Sequence, residues 1–359
     1  MFKKVHLCTL LVLLLITASI TAQTTSQSLD LSPSEIHQIL WEQKSQTLFN
    51  KQVTRQLSAS AEVNTQTNYD IQFYDVFIRV NDTTEILYGS VRFVGEIVDP
   101  NVTELQVDLY NTMNVDSIID NTYGALTYSE SGDVVTITLD HAYAAGEQFD
   151  FTFYYNGHPT EGGFQAFSFE IRNGAKVISS LSEPYFARTW WPCKDRNDDK
   201  ADSFYIAFQV DTSLYAASNG TLDSTNLNGD NTHTFFYSVR YPMVTYLFSV
   251  AISNYTVWTD EWVYNAGADT LPLLHAVFPD MYVYSLSHYD VTPEVLTHLS
   301  KNFGPYPYPD EKYGHANFTW GGGMEHQTIT SMSGSTFGFY EPVVVHEAGH
   351  QWWGDMITC

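Results

Sequence analysis

Basic residues are scarce in this chain. Its 359 residues hold 16 Lys and Arg against 41 Asp and Glu, a formal net charge of −25. A surface of that sign repels phosphate backbones, so nucleic acid is excluded as a partner. It can attract cationic ligands, a protonated amino terminus among them, although most of the charge reads simply as a solvated surface. Cysteine is also rare, with only Cys8, Cys193 and Cys359. Three scattered thiols supply no thiolate zinc site. Cys193 and Cys359 can pair in an oxidising compartment or remain separate as buried thiols, and the sequence leaves both open. Long apolar runs are missing as well. The most apolar stretch, Leu10 to Ile16, is too short to span a bilayer. Lys3 and Lys4 precede it and Thr21-Ala22 follow it, so residues 1–22 read as a secretory signal peptide. A secreted or periplasmic protein with no stable membrane span after cleavage is expected; the alternative is an uncleaved N-terminal anchor.

What the chain has in quantity is aromatic: 24 Tyr, 22 Phe and 8 Trp, enough large apolar volume for substantial cores. Residues 23–66 are polar and form a leader segment with at most a weak helix around Ile36, Ile39, Leu40 and Leu48. From Tyr69 the pattern alternates with period two, as in Val135-Thr136-Ile137-Thr138-Leu139 and Phe149-Asp150-Phe151-Thr152-Phe153. Tyr246-Leu247-Phe248-Ser249-Val250 is also read as a strand. Turn residues punctuate these runs, at Asn81-Asp82 and at Asn228-Gly229-Asp230. Many short strands at this spacing predict a large antiparallel β domain over residues 67–255. A second unit, 256–359, carries an expected helix from Tyr284 to Asn302, an irregular proline-rich stretch at 303–309, and a strand over Ala316–Trp320. N-x-S/T sequons at Asn81, Asn101, Asn219, Asn254 and Asn317 are expected to be mostly incidental.

The chemistry is concentrated near the end, in Val343-Val344-Val345-His346-Glu347-Ala348-Gly349-His350-Gln351-Trp352-Trp353. On a helix, His346 and His350 project from one face with Cβ atoms about 5–6 Å apart. Two neutral imidazoles at that spacing can hold one Zn²⁺. Glu347, about 100° round the helix, flanks the metal and can take a proton from its water. Pro342 suits the first helical turn and Gly354 a C-terminal stop. The valines and Gly349 are poor helix formers, so packing must hold this helix. A lone histidine is more often an ordinary surface or core residue; two at this spacing with the glutamate reverse that expectation.

Three motifs together resemble the aminopeptidase N-type zinc metallopeptidases, a gluzincin family. His346-Glu347-Ala348-Gly349-His350-Gln351-Trp352-Trp353-Gly354 is similar to that family's zinc helix. Gly322-Gly323-Met324-Glu325-His326 is similar to its G-x-M-E-N exopeptidase motif. Glu183-Pro184-Tyr185-Phe186-Ala187-Arg188, followed by Trp191-Pro192-Cys193, is similar to its E-P-x-x-A-R segment. The resemblance implies an α+β multidomain fold: an antiparallel β-sandwich or saddle domain, then the start of a thermolysin-like zinc catalytic domain. It implies one Zn²⁺ held by His346 and His350, Glu347 as general base, and Glu325 and Glu183 binding the ammonium of a peptide substrate with a free N-terminus. Gly322, Gly323 and Met324 would lie along the peptide. Two positions depart from the pattern: His326 stands for the motif's final Asn, and Leu181 for a Gln.

The resemblance also implies a third zinc ligand, a Glu on the next helix, and a transition-state tyrosine. Neither falls within Gln351–Cys359. The expectation is an N-terminal fragment with weak zinc binding and little activity of its own. Two other readings stand beside the aminopeptidase: a zinc endopeptidase, and a non-catalytic secreted binding protein with a structural metal.

Overall fold

The computed structural model describes residues 66–160 and 162–358. The expected signal peptide, all of the leader segment but Gln66, and the Cys359 half of a possible disulfide lie outside these residues. Among the described residues no helix is long and apolar enough to cross a membrane.

The alternating runs form an eight-stranded sheet. Its order is Thr221–Leu227, Thr232–Val239, Ser203–Asp211, Tyr69–Asn81, Ile86–Ile97, Gln148–Gly157, Met113–Asp120 and Gly124–Ala125. Strand Gln148–Gly157 shows why it forms. Phe149, Phe151, Phe153 and Tyr155 are each at most 2% exposed, while the residues between them face outward, the period of a half-buried strand. Phe93 stacks on Phe151 across the ladder at 5.0 Å between ring centroids. In strand Tyr69–Asn81 a bulge between Ile71 and Phe73 shifts the frame, so burial resumes at Tyr74, Val76 and Ile78. The turn at Asn81 closes as expected: its Oδ1 accepts the backbone N–H groups of Thr83 and Thr84, both at 3.1 Å.

A three-stranded sheet of Val102–Asp108, Val134–Tyr143 and Thr127–Ser131, and a four-stranded sheet of Tyr215–Ser218, Val250–Ser253, Ala175–Ser180 and Phe167–Arg172, complete this part. Trp190, Trp191, Phe204 and Phe248 lie in the core, with Trp190 4.9 Å and Trp191 5.1 Å from Phe248.

Beyond residue 255 lies a mixed sheet, ordered Thr256–Tyr264, Asp269–Val277, Tyr313–Phe318, Thr330–Ser333 and Gly323–Met324. All six residues of Tyr313–Phe318 are buried, as a strand covered on both faces requires. The helices Thr292–Phe303 and Glu341–Gly349 pack beside it. Leu296, Tyr313, Ala348 and Trp352 share one apolar cluster, and Val343, Val344 and Phe339 another. Packing therefore holds the valine-rich helix. The fold is α+β and mostly sheet.

Four expectations are corrected. Pairing in the large sheet is not wholly antiparallel: Tyr69–Asn81 runs parallel to Ser203–Asp211, in register Phe77 with Ala207. Tyr246–Val250 is not a strand. Tyr246, Leu247 and Phe248 are all buried, which no half-exposed strand allows; Thr245–Leu247 is a 3₁₀ turn and the strand begins at Val250. The helix expected over Tyr284–Asn302 is broken, with Tyr282–Leu286 separated from Thr292–Phe303. The His288 ring and the Ser287 hydroxyl bond back to the Tyr284 carbonyl at 2.7 and 3.1 Å and close the first piece, and Pro293, with no N–H, starts the second. Finally, the Glu341–Gly349 helix ends before Gly354. Its last carbonyls are taken by tight turns, Gln351 N–H to Ala348 O and Trp352 N–H to Gly349 O, both 3.2 Å.

Burial decides two sequons. Asn219 and Asn317 are fully buried and bonded to backbone, so neither side chain is available for a glycan.

Candidate metal and peptide site

Pro342 lies in the first turn of the Glu341–Gly349 helix, and the helix carries His346 and Glu347 before handing over to His350 at its end. The two imidazoles face one another, Nε2 to Nε2, at 3.1 Å. His350 Nδ1 lies 3.0 Å from the Trp353 carbonyl, which can only accept, so the ring proton sits on Nδ1 and the lone pair on Nε2. A carbonyl fixing the far ring nitrogen in this way is the usual support of a metal-binding histidine. Gly354 makes the turn possible: its φ is +151°, and a Cβ there would lie 2.9 Å from His350 Nδ1.

Glu347 is 3% exposed, facing strand Gly323–Met324. A Cβ on Gly323 would stand 2.4 Å from the Glu347 Oε1. The Cβ position at Gly323 is filled by the glutamate, and that at Gly322 by the Trp320 ring, 2.8 Å from an added Cβ. Met324 is buried, in the same apolar cluster as Leu181 and Trp190.

Glu325 is 3% exposed, its Oε1 3.9 Å from His350 Nδ1. Ligand atoms of Glu325, Glu347 and His350 lie within 4.8 Å of one another. That trio omits His346, whereas the close approach of the rings joins His346 to His350. The ring pair is the better metal-binding set, because Glu325 approaches His350 on the Nδ1 side, which is already committed to Trp353. A tetrahedral zinc with bonds of about 2.0–2.1 Å separates two nitrogen ligands by about 3.3–3.4 Å. The observed spacing nearly matches, so His346 and His350 fit a zinc ion.

Glu183 is half-buried on the loop after strand Ala175–Ser180. Phe186 N–H donates to Ser182 O at 2.9 Å and Trp190 Nε1 to Ser182 Oγ at 2.9 Å, which fixes that loop. Other residues of the same motif serve the core. Arg188 donates from Nε to Asp195 at 2.8 Å and from Nη1 to Asp108 at 3.1 Å, and Cys193 is a buried free thiol whose pKa burial raises. His326 is fully buried with Nδ1 2.8 Å from Ser331 Oγ; burial lowers its pKa to about 4, so it is neutral.

Sequence reasoning missed Gln351. It is fully buried, accepts the Thr328 N–H at 2.8 Å and donates to Asp355 at 2.6 Å. The available signal was a glutamine inside an otherwise apolar helix end.

A buried glutamate stands beside two converging imidazoles, on a helix laid against a mixed sheet, the arrangement of a metallopeptidase-like site. The family model described as Peptidase M1 N-terminal domain matches residues 66–247, and the chain belongs to this family, that of the M1 aminopeptidase N-type enzymes. Leucine aminopeptidase 2 of Vanderwaltozyma polyspora is 22% identical over 331 residues, 85% of this chain and 46% of that protein. The crystal structure of an M1 zinc metallopeptidase from Deinococcus radiodurans matches with a TM-score of 0.71 at 25% identity, covering 81% of this chain and 65% of that one. A mutant two-domain M1 zinc metallopeptidase bound to L-arginine matches with a TM-score of 0.72, also at 25% identity, covering 82% and 66%. The chain thus spans about half the length of that curated relative.

Proposed function

We propose that the intact protein is a zinc-dependent aminopeptidase, removing N-terminal residues from peptides. The observation that carries this is the conjunction of the His346–His350 nitrogen pair, buried Glu347 and buried Glu325. His346 and His350 would hold Zn²⁺, which when bound supplies a Lewis acid that activates water and polarises a carbonyl. Glu347 is the general base: it accepts the proton of the attacking water and returns it to the departing amine. Its burial against Gly323 keeps bulk water from competing for that proton. Glu325, with Glu183 from the loop after Ala175–Ser180, is assigned the substrate's terminal ammonium. A carboxylate held this far from solvent favours a cationic chain end over an uncharged internal peptide, which argues against an endopeptidase. The L-arginine held by the two-domain structural relative supports a pocket for a free amino acid end. The proposal extends to a β domain at 67–255, a catalytic part from 256, and a secreted or periplasmic location resting on residues 1–22.

Glu347→Gln tests the assignment. In the intact protein kcat on an aminoacyl p-nitroanilide should fall by about 10²–10⁴, with zinc content by atomic absorption unchanged. Unaltered turnover would assign the helix a purely structural metal.

A further inference from the structure

Thr328 has φ +65°, a conformation strained for a β-branched side chain, and it is fully buried. Each of its polar groups is engaged. Its N–H donates to Gln351 Oε1 at 2.8 Å. Its hydroxyl oxygen accepts the Gly220 N–H at 2.9 Å. Lys312 Nζ, 5% exposed as a residue, reaches Thr328 O and Oγ1, both at 3.4 Å, and Ser218 O at 3.0 Å. Three acceptors surround the Lys312 nitrogen, which donates to them. Asn219 adds a bond from Nδ2 to Gln327 O at 2.7 Å. The corner at residues 218–220, which belongs to the β domain, therefore grips the turn that follows Glu325, and Gln351 ties that turn to the residue after His350.

We propose that Lys312, Thr328 and Gln351 are positioning residues: a clamped, strained turn that fixes the Glu325 carboxylate relative to His350, and so sets where a substrate ammonium can sit. Strain at φ +65° persists because Lys312, Gly220 and Gln351 over-determine it. The consequence is that amine recognition depends on residues that never touch the peptide, braced by the 218–220 corner of the β domain. The inference rests on the aminopeptidase reading for what the turn serves, but not for whether the clamp holds it.

Thr328→Gly is the direct test, because glycine adopts this φ freely and the variant should fold. Thr328→Ser, which keeps the oxygen, is the control, and Lys312→Met removes the donor nitrogen. In the intact, zinc-loaded protein, Thr328→Gly and Lys312→Met should raise KM for an aminoacyl p-nitroanilide about tenfold while kcat stays within about threefold. Thr328→Ser should match the parent. Hydrogen exchange at the amides of residues 327–329 should quicken about tenfold in the two altered forms, with Tyr313–Phe318 unchanged. Parental KM and exchange in both variants would overturn the inference. If the parent protein processes no N-terminal amide at all, the aminopeptidase reading falls, and the exchange data alone still decide the clamp: faster exchange supports it and unchanged exchange overturns it.

Discussion

Gly323 has to be a glycine because Glu347 occupies the place of its side chain. In sequence, that residue is one of a run of glycines before Met324, and nothing in the run says which one is constrained or by what. Only the fold brings strand and helix close enough to show it. The two histidines were legible because their spacing is local to a helix turn. The support of His350 was not: the Trp353 carbonyl and Gly354 act through a turn beyond the helix end. Gly323→Ala should displace the Glu347 carboxylate and lower kcat by about 10²-fold, while the circular dichroism spectrum is retained. Full activity in that variant would mean that the glutamate's present position is not the working one.

Elements built from alternation were readable, since burying one face of a strand leaves a period of two in the sequence. Elements fixed by distant packing were not. Tyr246–Phe248 carries strand-like residues but is buried on every side, and the break before Thr292 depends on Tyr284 carbonyl contacts that no pattern shows. The parallel pairing of Asp269–Val277 with Tyr313–Phe318 has a further effect. It sets His275 beside His315 in register, with Nδ1 atoms 3.1 Å apart and rings stacked with Trp258 and Tyr289. Burial lowers the His275 pKa to about 3 and pushes His315 down as well, with His275 adding to the latter. A histidine depressed below its unfolded value of 6.5 contributes stability above pH 6.5 that is lost as pH falls toward the folded value. Asp260 lies 3.7 Å from His275 Nε2. Thermal unfolding followed from pH 7 to 4.5 should show a loss of roughly 2–5 kcal/mol from this pair. The double substitution His275→Phe with His315→Phe should flatten that dependence; an unchanged slope would place the acid sensitivity elsewhere.

At the scale of the whole molecule, the site is a meeting of parts. The mixed sheet supplies Gly323 and Met324, the loop that follows them supplies Glu325, the helix supplies His346 and Glu347, and the turn after it supplies His350. Corner 218–220 braces the turn between them. Composition foretold part of this: an acidic chain poor in thiols leaves histidine and carboxylate as its metal and amine chemistry. It could not foretell that Arg188 and Cys193, in the same motif as Glu183, face the core instead. The central claim is that the carboxylates of this site read a free amino terminus. The most direct measurement is cleavage of one peptide by the intact, zinc-loaded protein, with its N-terminus free and then acetylated. The account predicts stepwise loss of N-terminal residues from the free peptide and at least about 100-fold slower cleavage of the acetylated one. Equal cleavage of both would contradict it.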